Sequence, residues 1–306
     1  MENSPDILAL AGSPSIRRRI WYSLAAGGVL IASLAALAVW LPWHRQVQAL
    51  TEVNRLGGLR QSAEPDSNLS TPKMYDLQAE GFRTIEKVHI HEPKLKDLDV
   101  EKLTGLPALQ ELWLYDCHVT YEDLAYFQEF PELRSLALPL SKVTDAGLVH
   151  LSNLTELQSL LLDGTAVTDV GLSHLEKLSN LGALGLSGTA TTDAGLANLN
   201  SMKRLQFLEL SNTRVTDEGL LHLLRLKKLE WLGLEQTAVT DTGLLHLRML
   251  TDIRWLQLDE TKVTDRGLVH LSGMSKLELV DLRGTDVTSG GVKVLQTALP
   301  SCSILR

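Results

Sequence analysis

Cysteine is almost missing from this chain of 306 residues, which has only Cys117 and Cys302. Two cysteines so far apart in the sequence exclude a disulfide framework and every Cys/His spacing that builds a zinc site. Catalytic motifs are missing too. There is no glycine-rich phosphate loop, no nucleophile elbow and no zinc-protease helix, so the chain reads as a non-enzyme with no cofactor and no metal. Residues 46–306 carry 25 basic against 35 acidic side chains, a net of −10. A basic stripe for nucleic acid is therefore absent, and anionic membrane surfaces are disfavoured as partners.

What is present is one frame repeated every 24 residues. LQSLLLDGTAVTDVGLSHLEKLSN at Leu157–Asn180 is its cleanest copy, and the frame restarts at Leu109, Leu133, Leu181, Leu205, Leu229, Ile253 and Leu277. A worn copy begins at Ile85, so nine coils span 85–306. Such self-similarity is the signature of a solenoid. Leu157, Leu160 and Leu162 open with the alternation of a strand, and Val167, Leu172, Leu175 and Leu178 continue towards helical spacing. Each coil is thus a strand, a turn and a short helical segment. Burying seven aliphatics yields roughly 10–20 kcal/mol, against about 24–48 kcal/mol of backbone entropy for one coil. Neighbouring coils must supply the difference.

Three columns punctuate the frame. Thr165 and its equivalents at position 9 sit where the chain leaves the strand, placed to bond turn groups of the adjacent coil. Position 12 is threonine from Thr120 to Thr288, and position 13 is aspartate in Asp145, Asp169, Asp193, Asp217, Asp241 and Asp265. Both read as helix N-caps, which accounts for the aspartates without calcium. Gly147 through Gly291 at position 15 allow close packing at the helix start.

The pattern LxxLxLxxTxVTDxGLxxLxxL resembles a leucine-rich repeat of the cysteine-containing, ribonuclease-inhibitor-like group, in a bacterial-type form with TDxGL repeats. The resemblance implies a curved right-handed α/β solenoid with a concave parallel sheet and convex short helices. It also implies protein or peptide binding on the concave face, with the ligand left to be argued from exposed residues.

The chain divides into a tail (1–19), a transmembrane helix (20–41), a juxtamembrane helix and linker (42–80) and the capped repeat domain (81–306). Ile20 to Leu41 is uncharged, and 22 residues reach about 33 Å, enough for a bilayer core. Trp21, Tyr22, Trp40 and Trp43 mark its ends as interfacial aromatics do. The rival reading is a cleaved signal peptide ending near Ala36-Leu37-Ala38, whose apolar core would be overlong. Arg17-Arg18-Arg19 places the N-terminus in the cytoplasm and the repeats outside it, although Arg45, Arg55 and Arg60 weigh against this orientation. Gly28, Ala32 and Ala36 permit a homo-oligomer through the span. Residues 44–60 read as a helix with Val47, Leu50 and Val53 on one face, ended by Gly57-Gly58.

Positions 3, 5 and 7 of each coil point out of the sheet. They bring Phe207, Trp231 and Trp255 into a ladder about 10 Å long. Gly233 beside the ladder leaves room for a ligand, and Asp163, Glu209, Glu235, Asp259, Glu260 and Asp281 give an acidic border. Phe207, Trp231, Trp255, Glu209, Gln257, Asp281, Glu235 and Asp259 are therefore the candidate partner-binding residues, with Trp113 and Tyr115 as a second patch. The expected partner is a protein or peptide, basic if the acids select it. Two alternatives stay open: a self-associating envelope scaffold, and a carbohydrate binder stacking sugars on Trp231 and Trp255. The column His150, His174, His222, His246 and His270 reads as duplication on a solvated face.

Overall fold

The computed structural model describes residues 41, 44–53, 85–91 and 100–306. The expected tail, the span up to residue 40 and the linker from residue 54 lie outside the described residues. Among the described residues, no helix is long and apolar enough to cross a membrane.

Ten parallel strands form one sheet in sequence order. They are β1 (Lys87–His91), β2 (Glu111–Tyr115), β3 (Ser135–Ala137), β4 (Ser159–Leu161), β5 (Ala183–Gly185), β6 (Phe207–Glu209), β7 (Trp231–Gly233), β8 (Trp255–Gln257), β9 (Leu279–Asp281) and β10 (Ser303–Leu305). Register follows the repeat, so Leu160 lies beside Leu184, Leu184 beside Leu208 and Leu208 beside Leu232. The seven aliphatics of the Leu157 coil are all fully buried, and most of their counterparts along the stack are buried too, with Ile85, Leu154 and Val292 partly so. The sheet forms one face of an apolar core, and the α and 3-10 turns of each coil form the other.

The nine coils expected from the sequence become ten strands, because the degenerate stretch after Ser289–Ala298 turns back and adds β10 to β9. Gln296 holds this closing turn together, its Nε2 donating to the carbonyls of Leu299, Pro300 and Cys302. The opposite end is closed by residues 44–53. Ala49, Leu50 and Val53 of this helix are buried, and its backbone at Arg45 and Gln46 lies directly on Gly105. Glu52, only 3% exposed, faces Lys102 at 3.7 Å. The segment read as juxtamembrane is thus also the lid over the first coil.

Two columns behave differently from their sequence reading. The position-13 aspartates are not the N-caps; the threonines alone are, with Thr168 Oγ1 accepting from Val170 N–H and Thr192 from Ala194 N–H. Each aspartate instead reaches forward into the next coil. Asp145, Asp169, Asp193, Asp217, Asp241 and Asp265 accept both the N–H and the hydroxyl of Thr168, Thr192, Thr216, Thr240, Thr264 and Thr288, at 2.6–2.8 Å. The glycine at position 15 follows from this clamp. A Cβ at Gly171, Gly195 or Gly219 would collide with Oδ1 of the preceding coil's aspartate.

The position-9 hydroxyls bond within their own coil, not across coils. Thr165 donates to Leu162 O, Thr189 to Leu186 O and Thr213 to Leu210 O. They tie off a turn whose position 8 is left-handed in every well-formed coil: Asp116, Leu140, Gly164, Gly188, Asn212, Gln236, Glu260 and Gly284 all have φ of 52° to 68°.

Candidate functional site on the sheet face

The aromatic row forms because strand register puts position 3 of consecutive coils side by side. Phe207 pairs with Trp231, and Trp231 with Trp255. Phe207 and Trp231 stack face to face, centroids 4.1 Å apart and 14° from parallel. Trp255 carries the Arg254 guanidinium at 4.4 Å from its ring centroid. Arg254 is in turn held by Glu278, which accepts from Nε at 2.8 Å, and by Glu230 at 3.6 Å. All three aromatics are half-buried.

The space expected over Gly233 is filled, since the Glu209 carboxylate lies across it. Glu209 Oε1 accepts from Ser211 N–H at 2.7 Å. A similar arrangement occurs two coils earlier, where the Asp163 carboxylate covers Gly185 and Oδ1 accepts from Ser187 N–H of the next coil at 2.8 Å. Burial raises the pKa of both carboxyls above their ordinary values. For Glu209 the charges of Asp163 and Glu235 push further the same way.

The remaining acids differ in state. Asp281 is 3% exposed and sits under Arg283, whose Nε donates to both of its oxygens at 2.9 and 3.0 Å. Burial opposes its charge, but the hydrogen bonds and charge of Arg283 outweigh that and lower its pKa. Asp281 is thus an internal ion pair rather than a free border carboxylate. Glu235 and Asp259 are half-exposed neighbours whose pKa values are raised by desolvation and then by surrounding acids, with Arg283 as partial relief. Gln257 lies between Gly233 and Asp281 in register.

Trp113 and Tyr115 form a separate knot. Trp113 stacks on His89 (4.3 Å, 4°), meets the edge of Tyr115 at 6.0 Å and donates from Nε1 to Ser135 Oγ. Glu111 binds Lys87 at 3.0 Å and His89 at 2.7 Å. This patch is internally satisfied. On the helical side, His150 meets the edge of Tyr121 at 4.8 Å. Among the described residues, no group of three or more His, Cys, Asp or Glu is placed to hold a metal ion.

Between Asp163 and Phe207 the face sinks into an open depression of about 580 Å³, lined by Ser159, Leu161, Asp163, Ala183, Ser187, Phe207 and Glu209. It exists because positions 3 of two consecutive coils, Ser159 and Ala183, are small where the next is Phe207.

No protein-family profile matches the sequence, and no curated protein matches it. Among solved structures, internalin C2 from Listeria monocytogenes aligns with a TM-score of 0.55 at 25% identity, over 66% of this chain and 82% of that one. The chain has the fold of a leucine-rich-repeat solenoid. A second internalin of that organism (TM-score 0.48, 17% identity, 73% and 87% covered) and a leucine-rich-repeat protein of Leptospira interrogans (0.48, 16%, 72% and 66%) are also similar.

Sequence reasoning placed the aromatic row of the solenoid but passed over Ser159, Ala183 and Ser187, which shape the depression. Their signal was available. Small residues at positions 3 and 7 interrupt columns that carry aromatics and acids elsewhere.

Proposed function

We propose that this solenoid is a non-catalytic, membrane-anchored binding module that captures a protein or peptide on its concave sheet face, with the repeats outside the cytoplasm. The observation that carries the reading is the company kept on one face: three half-buried aromatics beside carboxylates whose pKa values are raised by burial and by the charges of neighbouring acids. Desolvating the aromatics would supply affinity, and the acids would select and steer a basic partner. The likeness to internalin C2 supports a leucine-rich-repeat scaffold as the bearer of such a face. Anchoring rests on residues 20–41 and their flanking aromatics.

The carbohydrate reading fares less well, because the Arg254 guanidinium already occupies one side of the Trp255 ring. The test compares the full chain in neutral detergent with its Trp231→Ala/Trp255→Ala variant. Both are used to capture envelope proteins, and equal folding is first established by circular dichroism. A partner retained by the wild type and lost by the variant supports the reading. Identical sets from both, with self-association, favour the scaffold.

A further inference from the structure

The sheet face treats its carboxylates unequally. Near one end Glu111 is paired with Lys87 and His89, and near the other Asp281 is paired with Arg283. Glu230 and Glu278 share Arg254. Asp163 and Glu209 sit between these and are half-buried, yet among the described residues neither has a cationic partner. Each spends one oxygen on a backbone N–H, Asp163 on Ser187 and Glu209 on Ser211. That leaves a second oxygen on each, and both carboxylates line the one depression. The Asp163 carboxylate lies over Gly185 and the Glu209 carboxylate over Gly233, the register partners on either side of Glu209, so the two acids flank the strand Phe207–Glu209.

A further wall is the Phe207 ring, on the same strand as Glu209. One face is taken by Trp231. On the other side its register partner is Ala183, too small to cover a ring, and beyond that lies Ser159. A groove lined by an open aromatic face and by two carboxylates without an ion-pair partner is complementary to a flat, delocalised cation on an aliphatic stem.

Building on the concave-face reading, we propose that this depression receives one arginine side chain of the partner, its guanidinium lying on Phe207 and donating to Asp163 and Glu209. Ammonium fits less well, being a compact and strongly hydrated charge that does not stack. The internal comparison supplies the argument. The fold pairs Glu111 and Asp281 with its own Lys, His or Arg and sets Glu235 and Asp259 in the field of Arg283, whereas Asp163 and Glu209 have no cation of the described residues to offset them and are left for one from outside.

The test uses the full chain in neutral detergent and the acetylated, amidated octapeptide of four Gly-Arg repeats. Binding is measured by calorimetry beside the citrulline and lysine versions. Asp163→Asn/Glu209→Gln keeps the oxygens that accept from Ser187 and Ser211, so the fold is preserved while the charge is removed. Glu235→Gln/Asp259→Asn removes equal charge elsewhere on the face. The expected result is arginine-selective binding that weakens at least about tenfold in the first variant and less than about threefold in the second. Equal losses in both variants overturn the pocket in favour of diffuse attraction. Citrulline or lysine versions that bind as well as arginine overturn it too. The wider concave-face reading is judged separately, by the tryptophan variant, and survives those failures.

Discussion

The aspartate clamp makes a quantitative claim about two residues in different coils. Asp193 accepts the N–H and the hydroxyl of Thr216 at 2.7 and 2.6 Å, and its Oδ1 lies where a Cβ on Gly219 would go. Removing the carboxylate in Asp193→Ala forfeits two charge-assisted hydrogen bonds at a half-exposed site, about 1.5 kcal/mol each and ~3 kcal/mol together. Gly219→Ala should cost a similar ~3 kcal/mol, because the new methyl expels the carboxylate from the same two bonds. The second change should then be nearly free once the first is made. Gly219 has ordinary helical backbone, where alanine is favoured over glycine by about 1 kcal/mol. The double variant should therefore lose ~2–3 kcal/mol and not ~6, a coupling of about 3 kcal/mol. Thermal unfolding followed by circular dichroism reads this as a drop of about 6–12 °C for each single change, with little further drop for the pair. Additive losses would refute the clamp, and so would a Gly219→Ala variant as stable as the wild type.

Other features give further expectations. Leu140 holds φ of 58° while 64% exposed, so Leu140→Gly should stabilise by about 0.5–1 kcal/mol, seen as a Tm rise of ~2–3 °C. Gly105→Ala would press a methyl onto the Arg45 carbonyl. It should release the helix 44–53 and speed amide exchange at Ala49 and Val53, while a repeat domain begun after residue 53 should unfold about 10 °C or more lower, as loss of a core-covering element implies. Asp163, Glu209, Glu235 and Asp259 have raised native pKa values, so the folded state binds extra protons between their ordinary and raised values. Their contribution to stability therefore increases as pH falls from neutral through that window. Glu209→Gln should raise Tm at pH 7.5, with the advantage gone by about pH 4, where the native glutamate is itself neutral; a lower Tm at pH 7.5 would contradict the desolvation argument.

Most of the fold could be read from spacing alone, since Leu160, Leu162 and their equivalents recur with a period that only a stacked coil satisfies. The columns that misled did so for a common reason. Asp193 beside Thr216 is a contact between coils, and a one-dimensional reading assigns a polar residue at a helix start to the nearest free N–H, which is local. The glycine two residues on reads as a sign of close packing, since glycine at a helical position that needs no unusual φ requires a steric cause, but spacing alone does not tie it to the preceding coil's aspartate that supplies that cause. Likewise the left-handed position 8 was spelled by Gly164, Gly188, Gly284 and Asn212, but obscured where Leu140 and Gln236 adopt the same backbone.

The site was legible only as a list of outward positions, and the difference between outward and available is set by neighbours. Gly233 looked like an opening because a glycine has no side chain, yet that absence is what lets Glu209 lie down over it. Asp281 looked like a border charge because it shares a column with Glu209, yet Arg283 two residues later closes on it. Both outcomes follow one rule. A carboxylate folded onto the sheet needs a bare neighbour to lie on and a backbone N–H to accept from, and it needs a cation if it is to keep its charge at low cost. Asp281 has its cation within the coil. Asp163 and Glu209 have the bare neighbours Gly185 and Gly233 and the N–H groups of Ser187 and Ser211, but no cation among the described residues. That missing third element directs attention from the aromatic row, which is partly satisfied by its own stacking and by Arg254, to the depression beside it.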